Sequence, residues 1–187
     1  MTHLRFAVAV FGFAAALSAQ STGYIKARGN VGHAAVFVNG NYIGPAYRFG
    51  IPEKYSVPAG NVEVTFREPR YQDSTVKVTV TAGKTAKVHF AMTKLPVPEP
   101  PFGRLRLGGG EAESFMSVAA GDTGAVYLND KYYGYVDELN DAGGGLLLKP
   151  GTYSLHVVSS RFGDLRREVT ITANKVTVVP LVERAER

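Results

Sequence analysis

Hydrophobic and polar residues alternate with a period of two along most of the chain. In NVEVTFR (61–67), two valines and Phe66 share one face and the polar side chains share the other. The same alternation recurs in TVKVTVT (75–81), TYSLHV (152–157) and REVTIT (167–172). This pattern and the β-branched content predict half-buried antiparallel strands. No window after the N-terminus has a sustained helical period, so we expect almost no helix there.

One ten-residue phrase occurs twice, as AVFVNGNYIG (35–44) and as AVYLNDKYYG (125–134). TAGK (81–84) matches TANK (172–175) at an offset of 91, whereas GYIKA (23–27) matches GRLRL (103–107) at an offset of 80. Recurring anchors with one change of spacing indicate a duplicated domain. The second copy therefore carries extra residues, GGGEAESFMS or thereabouts, between its first two strands.

A proline-rich stretch, LPVPEPP (95–101), separates the two copies. Its prolines favour an extended polyproline conformation that rises about 3.1 Å per residue and acts as a semi-rigid spacer. Short antiparallel runs with closely spaced turns indicate a β-sandwich of about seven strands in each copy. The prediction is an all-β chain with two small antiparallel β-sandwich domains, at 22–95 and 102–183, joined by a Pro-rich linker at 96–101.

The first twenty residues differ from the rest. Arg5 precedes an apolar run from Phe6 to Leu17, and small residues follow at Ser18 and Ala19. This is the plan of a secretory signal peptide that occupies residues 1–19. A membrane anchor is the alternative. The apolar run is, however, shorter than the roughly 20 residues that a membrane span needs. The chain has no cysteine, which suits export to a bacterial periplasm or cell exterior. We expect no membrane span after signal cleavage.

The repeated phrase predicts a hairpin with one aliphatic and one aromatic face. A two-residue turn at Asn39-Gly40 pairs Phe37 with Tyr42 and places Val36 opposite Ile43. The second copy repeats this, with Tyr127 opposite Tyr132 and Val126 opposite Tyr133. If the aliphatic face points into the core, the aromatic pairs are displayed as a platform for a sugar ring or an apolar side chain. The alternative is ordinary cross-strand packing.

The order of these motifs resembles the PEGA domain. The resemblance rests on GAVYLNDKYYG (124–134) followed by KPGTYSLHVVSSRFGDLRREVTITANK (149–175), and on the same plan in the first copy. It implies a prealbumin-like β-sandwich in an exported bacterial or archaeal protein, with a role in binding or interaction and no established catalytic residues. The stretches VGHA (31–34) and GDTG (121–124) depart from the family pattern, as do the longer segments 45–55 and 135–145.

The residues offer little catalytic chemistry. No G-x-S-x-G, H-E-x-x-H or phosphate-binding glycine motif occurs. His89 and His156 fall on the polar phase of strands, which predicts solvent-facing side chains. A loop with Asp137, Glu138, Asn140 and Asp141 is the best calcium candidate, but it lacks EF-hand spacing. We therefore expect no enzyme activity, no cofactor and no metal.

The net charge of +5 is scattered along strands rather than concentrated on one face, so we expect no nucleic-acid partner. The sequence predicts a non-catalytic exported binding or scaffolding protein of the bacterial cell envelope, whose partner is an envelope protein or a polysaccharide. The alternative is a carbohydrate-binding module. The candidate binding surface consists of the hairpin aromatics Phe37, Tyr42, Tyr127 and Tyr132.

Overall fold

The computed structural model describes residues 21–49, 54–97, 99–108, 121–139 and 145–181. The predicted signal peptide and nearly all of the extra segment of the second copy lie outside these ranges. Within them, each copy of the repeat forms seven strands. The first copy, domain 1, contains β1 (Thr22–Gly29), β2 (Ala35–Val38), β3 (Asn41–Pro45), a 3₁₀ helix (Ala46–Phe49), β4 (Tyr55–Pro58), β5 (Gly60–Arg67), β6 (Ser74–Val80) and β7 (Thr85–Phe90). The second, domain 2, contains β8 (Gly103–Gly108), β9 (Ala125–Leu128), β10 (Lys131–Tyr135), β11 (Leu146–Leu148), β12 (Gly151–Ser159), β13 (Gly163–Ile171) and β14 (Val176–Pro180).

Each domain is a sandwich of a four-stranded and a three-stranded sheet. In domain 1 the strand orders are β3-β2-β5-β6 and β4-β1-β7, and in domain 2 they are β10-β9-β12-β13 and β11-β8-β14. The identical topology confirms the predicted all-β, two-domain architecture and the duplication behind it. One pairing in each domain, β1 with β7 and β8 with β14, is parallel. Period-two alternation is the same in both orientations, so the sequence pattern does not reveal this parallel pair.

The two sheets of each domain enclose an apolar core that follows the alternation. In domain 1, Ile25, Val36 and Phe66 are fully buried, and the ring of Phe66 stacks on that of Phe90 at 3.8 Å between centroids. The core of domain 2 is built from equivalent positions, which include Leu105, Leu107, Val126, Leu155 and Ile171. Alternate residues of each central strand thus supply the core, as the binary pattern predicts.

The repeated phrase forms the same hairpin in both domains, with a bulge that the sequence did not predict. Phe37 pairs with Tyr42, and Tyr127 pairs with Tyr132, as predicted. Beyond these pairs the register shifts, so that Val36 lies opposite Gly44 rather than Ile43. In domain 2, likewise, Val126 lies opposite Gly134 rather than Tyr133. Both glycines have a positive φ, 136° and 142°, which favours the unusual backbone at a bulge.

Candidate functional site at the domain interface

The aliphatic face of each hairpin points into the core of its own domain, and its aromatic face contacts the other domain. Val36 and Val38 are buried in domain 1, and Val126 and Leu128 are buried in domain 2. Residues on the opposite faces form one cluster that joins the domains, and we call it the hairpin interface: Ala35, Phe37, Tyr42, Ala125, Tyr127 and Tyr132. The two copies of the repeated phrase therefore pack against each other.

The rings of the hairpin interface are arranged edge to face and tilted. Phe37 lies 5.6 Å from Tyr132 with the ring planes at 89°, and Tyr42 lies 5.6 Å from each of them. Tyr127 completes the group at 6.0 Å from Tyr132. Such pairs are stabilising because the positive edge of one ring meets the negative face of another, and each adds about 0.5–1.5 kcal/mol beyond its burial.

These positions bear on the two interpretations of the hairpin aromatics, an exposed platform or ordinary cross-strand packing. Phe37 is 3% exposed and Tyr132 is 4% exposed, while Tyr42 and Tyr127 are half-buried. Packing within one sheet, the other alternative, accounts for only part of the contact, because Phe37 and Tyr42 also contact Tyr132 across the interface. With the domains packed in this way, neither Phe37 nor Tyr132 offers a ring face to a sugar.

Polar contacts surround the hairpin interface. The Tyr42 hydroxyl donates a hydrogen bond of 2.8 Å to the carbonyl of Thr123 in domain 2, and Arg48 donates one of 3.4 Å to the carbonyl of Gly121. The ring of Tyr47 lies 6.3 Å from that of Tyr135. The pKa of the Tyr42, Tyr132 and Tyr135 hydroxyls lies far above the usual value, and burial is the largest cause of this rise. These three phenols therefore stay neutral while the interface is closed.

A second group of side chains meets beside the hairpin interface. His33 lies between β1 and β2, Glu68 follows β5, and Glu138 lies in the turn after β10. Their ligand atoms all lie within 4.8 Å of one another. The Arg70 guanidinium contacts this His33–Glu68–Glu138 cluster, through Nε to Glu68 Oε1 at 2.6 Å and through Nη2 to Glu138 Oε1 at 3.4 Å. The ion pair between Arg70 and Glu138 links the two domains.

Burial shapes the charges of this cluster. It raises the pKa of the Glu138 carboxyl to about 7, and the neighbouring Arg70 opposes that rise. Burial also lowers the pKa of the His33 imidazole, which favours the neutral ring at neutral pH. Two groups with shifted pKa values, His33 from domain 1 and Glu138 from domain 2, therefore share one site. Shifted pKa values are more frequent at functional sites than elsewhere.

Most of this cluster has no signal in the sequence. Only Glu138 belongs to a predicted site, the candidate calcium loop with Asp137, Asn140 and Asp141, and the last two of these lie outside the described residues. One signal was available for Glu68, because the alternation that buries Val62, Val64 and Phe66 places residue 68 on the same inward side. Glu68 is indeed 4% exposed. Nothing in the sequence brings His33 next to Glu138.

The remaining histidines have different surroundings. His89 is exposed on β7, as predicted. His156 is not freely exposed, because its ring stacks on Tyr127 at 5.7 Å and its Nε2 lies 3.0 Å from Asp164 Oδ1. The polar phase of β12 is thus partly covered, which the alternation alone cannot indicate.

An open groove of about 350 Å³ lies at the domain boundary, next to the hairpin interface. Domain 1 contributes Arg67 and Tyr71, and domain 2 contributes the turn Asn129-Asp130. Arg67 forms an ion pair with Asp73 at 3.0 Å, and its guanidinium lies over the Phe37 ring. The groove is therefore lined mostly by polar and charged side chains, and its aromatic lining residues are Tyr71 and Tyr132.

Comparison with known proteins identifies the repeated unit. The model of the PEGA domain matches residues 22–95 and again residues 116–185. No curated protein matches the chain. Among solved structures, the chain is similar to the Bacillus anthracis TIE protein, with 16% identity and a TM-score of 0.31. It is also similar to a leucine-rich repeat protein from Bacteroides thetaiotaomicron VPI-5482, with 15% identity and a TM-score of 0.20.

These alignments cover 87% and 86% of the chain, which spans only 34% and 26% of the two solved proteins. Within the residues that the structure describes, no helix has the length and apolar character needed to cross a bilayer.

Proposed function

The chain belongs to the PEGA-domain family and carries two copies of the domain, and from this premise we propose that it is a non-catalytic, exported binding scaffold of the bacterial cell envelope. PEGA domains are typical of exported proteins, and the N-terminal sequence has the plan of a signal peptide. In this proposal the two domains act as one unit that presents its outer surfaces to an envelope partner.

The observation that supports the proposal is the use of both aromatic hairpin faces for contact between the domains. Six apolar side chains, Ala35, Phe37, Tyr42, Ala125, Tyr127 and Tyr132, bury one another there. A pair of domains on a proline-rich linker tumbles independently unless such an interface is present. Fixing the two domains gives a partner one extended surface, so that both domains contribute to the same binding event.

Capture from envelope extracts tests this function. We expect the mature chain to retain a specific envelope component and the Phe37→Ala/Tyr42→Ala double variant to retain it at least about tenfold less well, since loss of the fixed geometry removes simultaneous engagement. Retention of that component by both proteins to the same extent, or no specific capture, contradicts the proposal. Circular dichroism of the variant shows whether each sandwich remains folded.

A distance measurement provides the control for the domain arrangement. The chain has no cysteine, so Lys77→Cys in β6 and Glu168→Cys in β13 introduce a unique pair of exposed labelling sites. We expect one narrow distance distribution between spin labels in the parent chain and a broad one in the double variant. Equal distributions in both show that the hairpin interface does not fix the domains.

Carbohydrate binding is a second candidate, supported by the polar groove rather than by the buried rings. Asp73, Asn129 and Asp130 provide hydrogen-bonding groups beside Tyr71, and sugars are bound by such combinations of polar and aromatic side chains. Binding to a glycan array that is lost in Asp130→Asn, with the domain arrangement unchanged, supports this candidate. Absence of binding to every glycan rejects it.

A further inference from the structure

Three metal-ligating side chains from separate parts of the chain meet at the boundary between the two domains. Domain 1 contributes His33 and Glu68, domain 2 contributes Glu138, and the three ligand atoms lie within 4.8 Å of one another. We propose that the His33–Glu68–Glu138 cluster is a site for a divalent cation of the zinc class, which ties the two domains together. This inference does not depend on the proposed function.

The site already accommodates a positive group. The Arg70 guanidinium lies 2.6 Å from Glu68 Oε1, 3.0 Å from His33 Nε2 and 3.4 Å from Glu138 Oε1. A guanidinium can only donate hydrogen bonds, so Nε2 of His33 must present its lone pair to Arg70. That is the neutral tautomer that binds a metal ion through Nε2. The three ligand atoms therefore converge on one cation, which in the structure is an arginine side chain.

Arg70 and Glu68 differ in how firmly they are held. The Arg70 side chain is 62% exposed, so it can turn into solvent, and the buried contact that it gives up is its ion pair with Glu68. Glu68 is 4% exposed, and its second oxygen, Oε2, accepts a 2.9 Å hydrogen bond from the backbone N–H of Arg70. That backbone bond remains when the guanidinium leaves. Oε1 of Glu68 is then available to a metal ion in a carboxylate that is already oriented, as ligating carboxylates usually are.

The ligand set selects the class of cation. One imidazole nitrogen and two carboxylate oxygens match Zn²⁺, which takes four tetrahedral ligands and leaves one position here for water. Ca²⁺ needs six to eight oxygen ligands, and Mg²⁺ prefers to keep several waters, so a site with an imidazole and only two carboxylates suits neither well.

Binding of Zn²⁺ to the metal-free mature chain, measured by isothermal titration calorimetry, tests the site. We expect one Zn²⁺ per chain and at least about tenfold weaker binding in His33→Ala and in Glu138→Gln. His89→Ala, which removes an exposed histidine on β7, is the matched control and leaves the affinity unchanged. Equal affinity in His33→Ala and the parent chain overturns the proposal, as does equally tight binding of Ca²⁺.

Arg70→Gln separates a metal site from an ordinary ion-pair network. Removing the competing guanidinium should tighten Zn²⁺ binding by about tenfold. In EDTA the variant should have a lower Tm than the parent chain, because Glu68 is left buried without its cation, and Zn²⁺ should restore the Tm. A loss of Tm that Zn²⁺ does not restore overturns the proposal and leaves Arg70 as a purely structural partner.

Discussion

At the scale of single residues, the clearest constraint is a glycine that occupies the same place in both domains. A Cβ at Gly23 would lie 2.5 Å from the Thr81 carbonyl oxygen and 2.5 Å from Val80 Cγ1. A Cβ at Gly103 would meet the equivalent Thr172 carbonyl and Ile171. The repeat shows from sequence alone that these glycines correspond, but only the packing shows that the start of β1 and of β8 runs against a turn.

Gly23→Ala should therefore lower the free energy of unfolding by about 1–3 kcal/mol, because backbone must move to admit the methyl group. Urea denaturation followed by circular dichroism measures the change. Gly32→Ala is the control, since its Cβ would have no neighbour nearer than 4.0 Å. Equal stabilities for the two variants would contradict the steric argument.

A second residue-scale prediction concerns two tyrosine hydroxyls that each donate a 2.8 Å hydrogen bond to a backbone carbonyl. Tyr42 donates across the interface to Thr123, whereas Tyr153 donates to Lys149 within domain 2. Tyr42→Phe should cost about 1 kcal/mol and broaden the interdomain distance distribution. Tyr153→Phe should leave that distribution unchanged. If Tyr42→Phe also leaves it unchanged, the hydroxyl does not help to fix the domains.

At the scale of elements, the hairpin turn explains why the repeated phrase keeps its asparagine. Asn39 and Asn129 both have a φ of 49°, in the left-handed region that asparagine tolerates. The side-chain Oδ1 of each accepts a 2.9 Å hydrogen bond from the backbone of the neighbouring strand, from Glu63 or from Ser154. One side chain thus permits the turn and also attaches it to the sheet.

The second residue of the turn differs between the two domains. We expect substitutions at the first and second turn positions of domain 2 to have different effects on stability. Asp130 has a φ of 61°, where domain 1 has Gly40. Asp130→Gly should be neutral or stabilise by up to about 1 kcal/mol, because the strain of a left-handed residue with a side chain is relieved. Asn129→Ala should destabilise by about 1–2 kcal/mol, since alanine tolerates the positive φ poorly and the hydrogen bond from the Ser154 N–H is lost. Thermal unfolding measures both, and a destabilising Asp130→Gly would contradict the prediction.

Strands and turns could be predicted from the sequence where a local pattern of residues is enough to determine them. Alternation and turn residues predicted β5, β6, β12 and β13, the two hairpins, the Asn39-Gly40 turn and the Phe37–Tyr42 and Tyr127–Tyr132 pairs. The bulge at Gly44 could not be predicted, because a glycine after a strand fits an ordinary strand end equally well. The parallel pairing of β1 with β7 joins the first and last strands of the domain, and no short-range signal indicates it.

At the scale of the molecule, the sequence could not decide which hairpin face is solvent-exposed, because both faces are apolar. The structure gives a third answer, in which each aromatic face is covered by the other domain. Whether an aromatic face is covered therefore depends on the position of the other hairpin, ninety residues away in the chain. The same limit explains why His33, Glu68 and Glu138 could not be grouped. Duplication can thus be read from the repeat, whereas the use of the duplicated face as an interface cannot.

Closure of the interface also determines how the molecule responds to alkali. In the unfolded chain the phenols of Tyr42, Tyr132 and Tyr135 lose their protons at about pH 10. In the folded protein, burial holds their pKa well above that value. Above pH 10 the folded state therefore binds more protons than the unfolded state, so the free energy of unfolding falls as pH rises. Below pH 10 these groups are protonated in both states and their contribution to stability does not change.

Near-ultraviolet absorbance of tyrosinate measures the ionisation of the ten tyrosines of the chain as pH rises. We expect the last phase, from the phenols of Tyr42, Tyr132 and Tyr135, to coincide with loss of the near-ultraviolet circular dichroism signal. Phe37→Ala opens the hairpin interface to water, so it should move the last phase to lower pH, whereas Tyr153→Phe, which lies away from the interface, should leave its midpoint unchanged. Ionisation of all ten tyrosines in one phase, with the tertiary signal retained, would show that the interface does not exclude water from these hydroxyls.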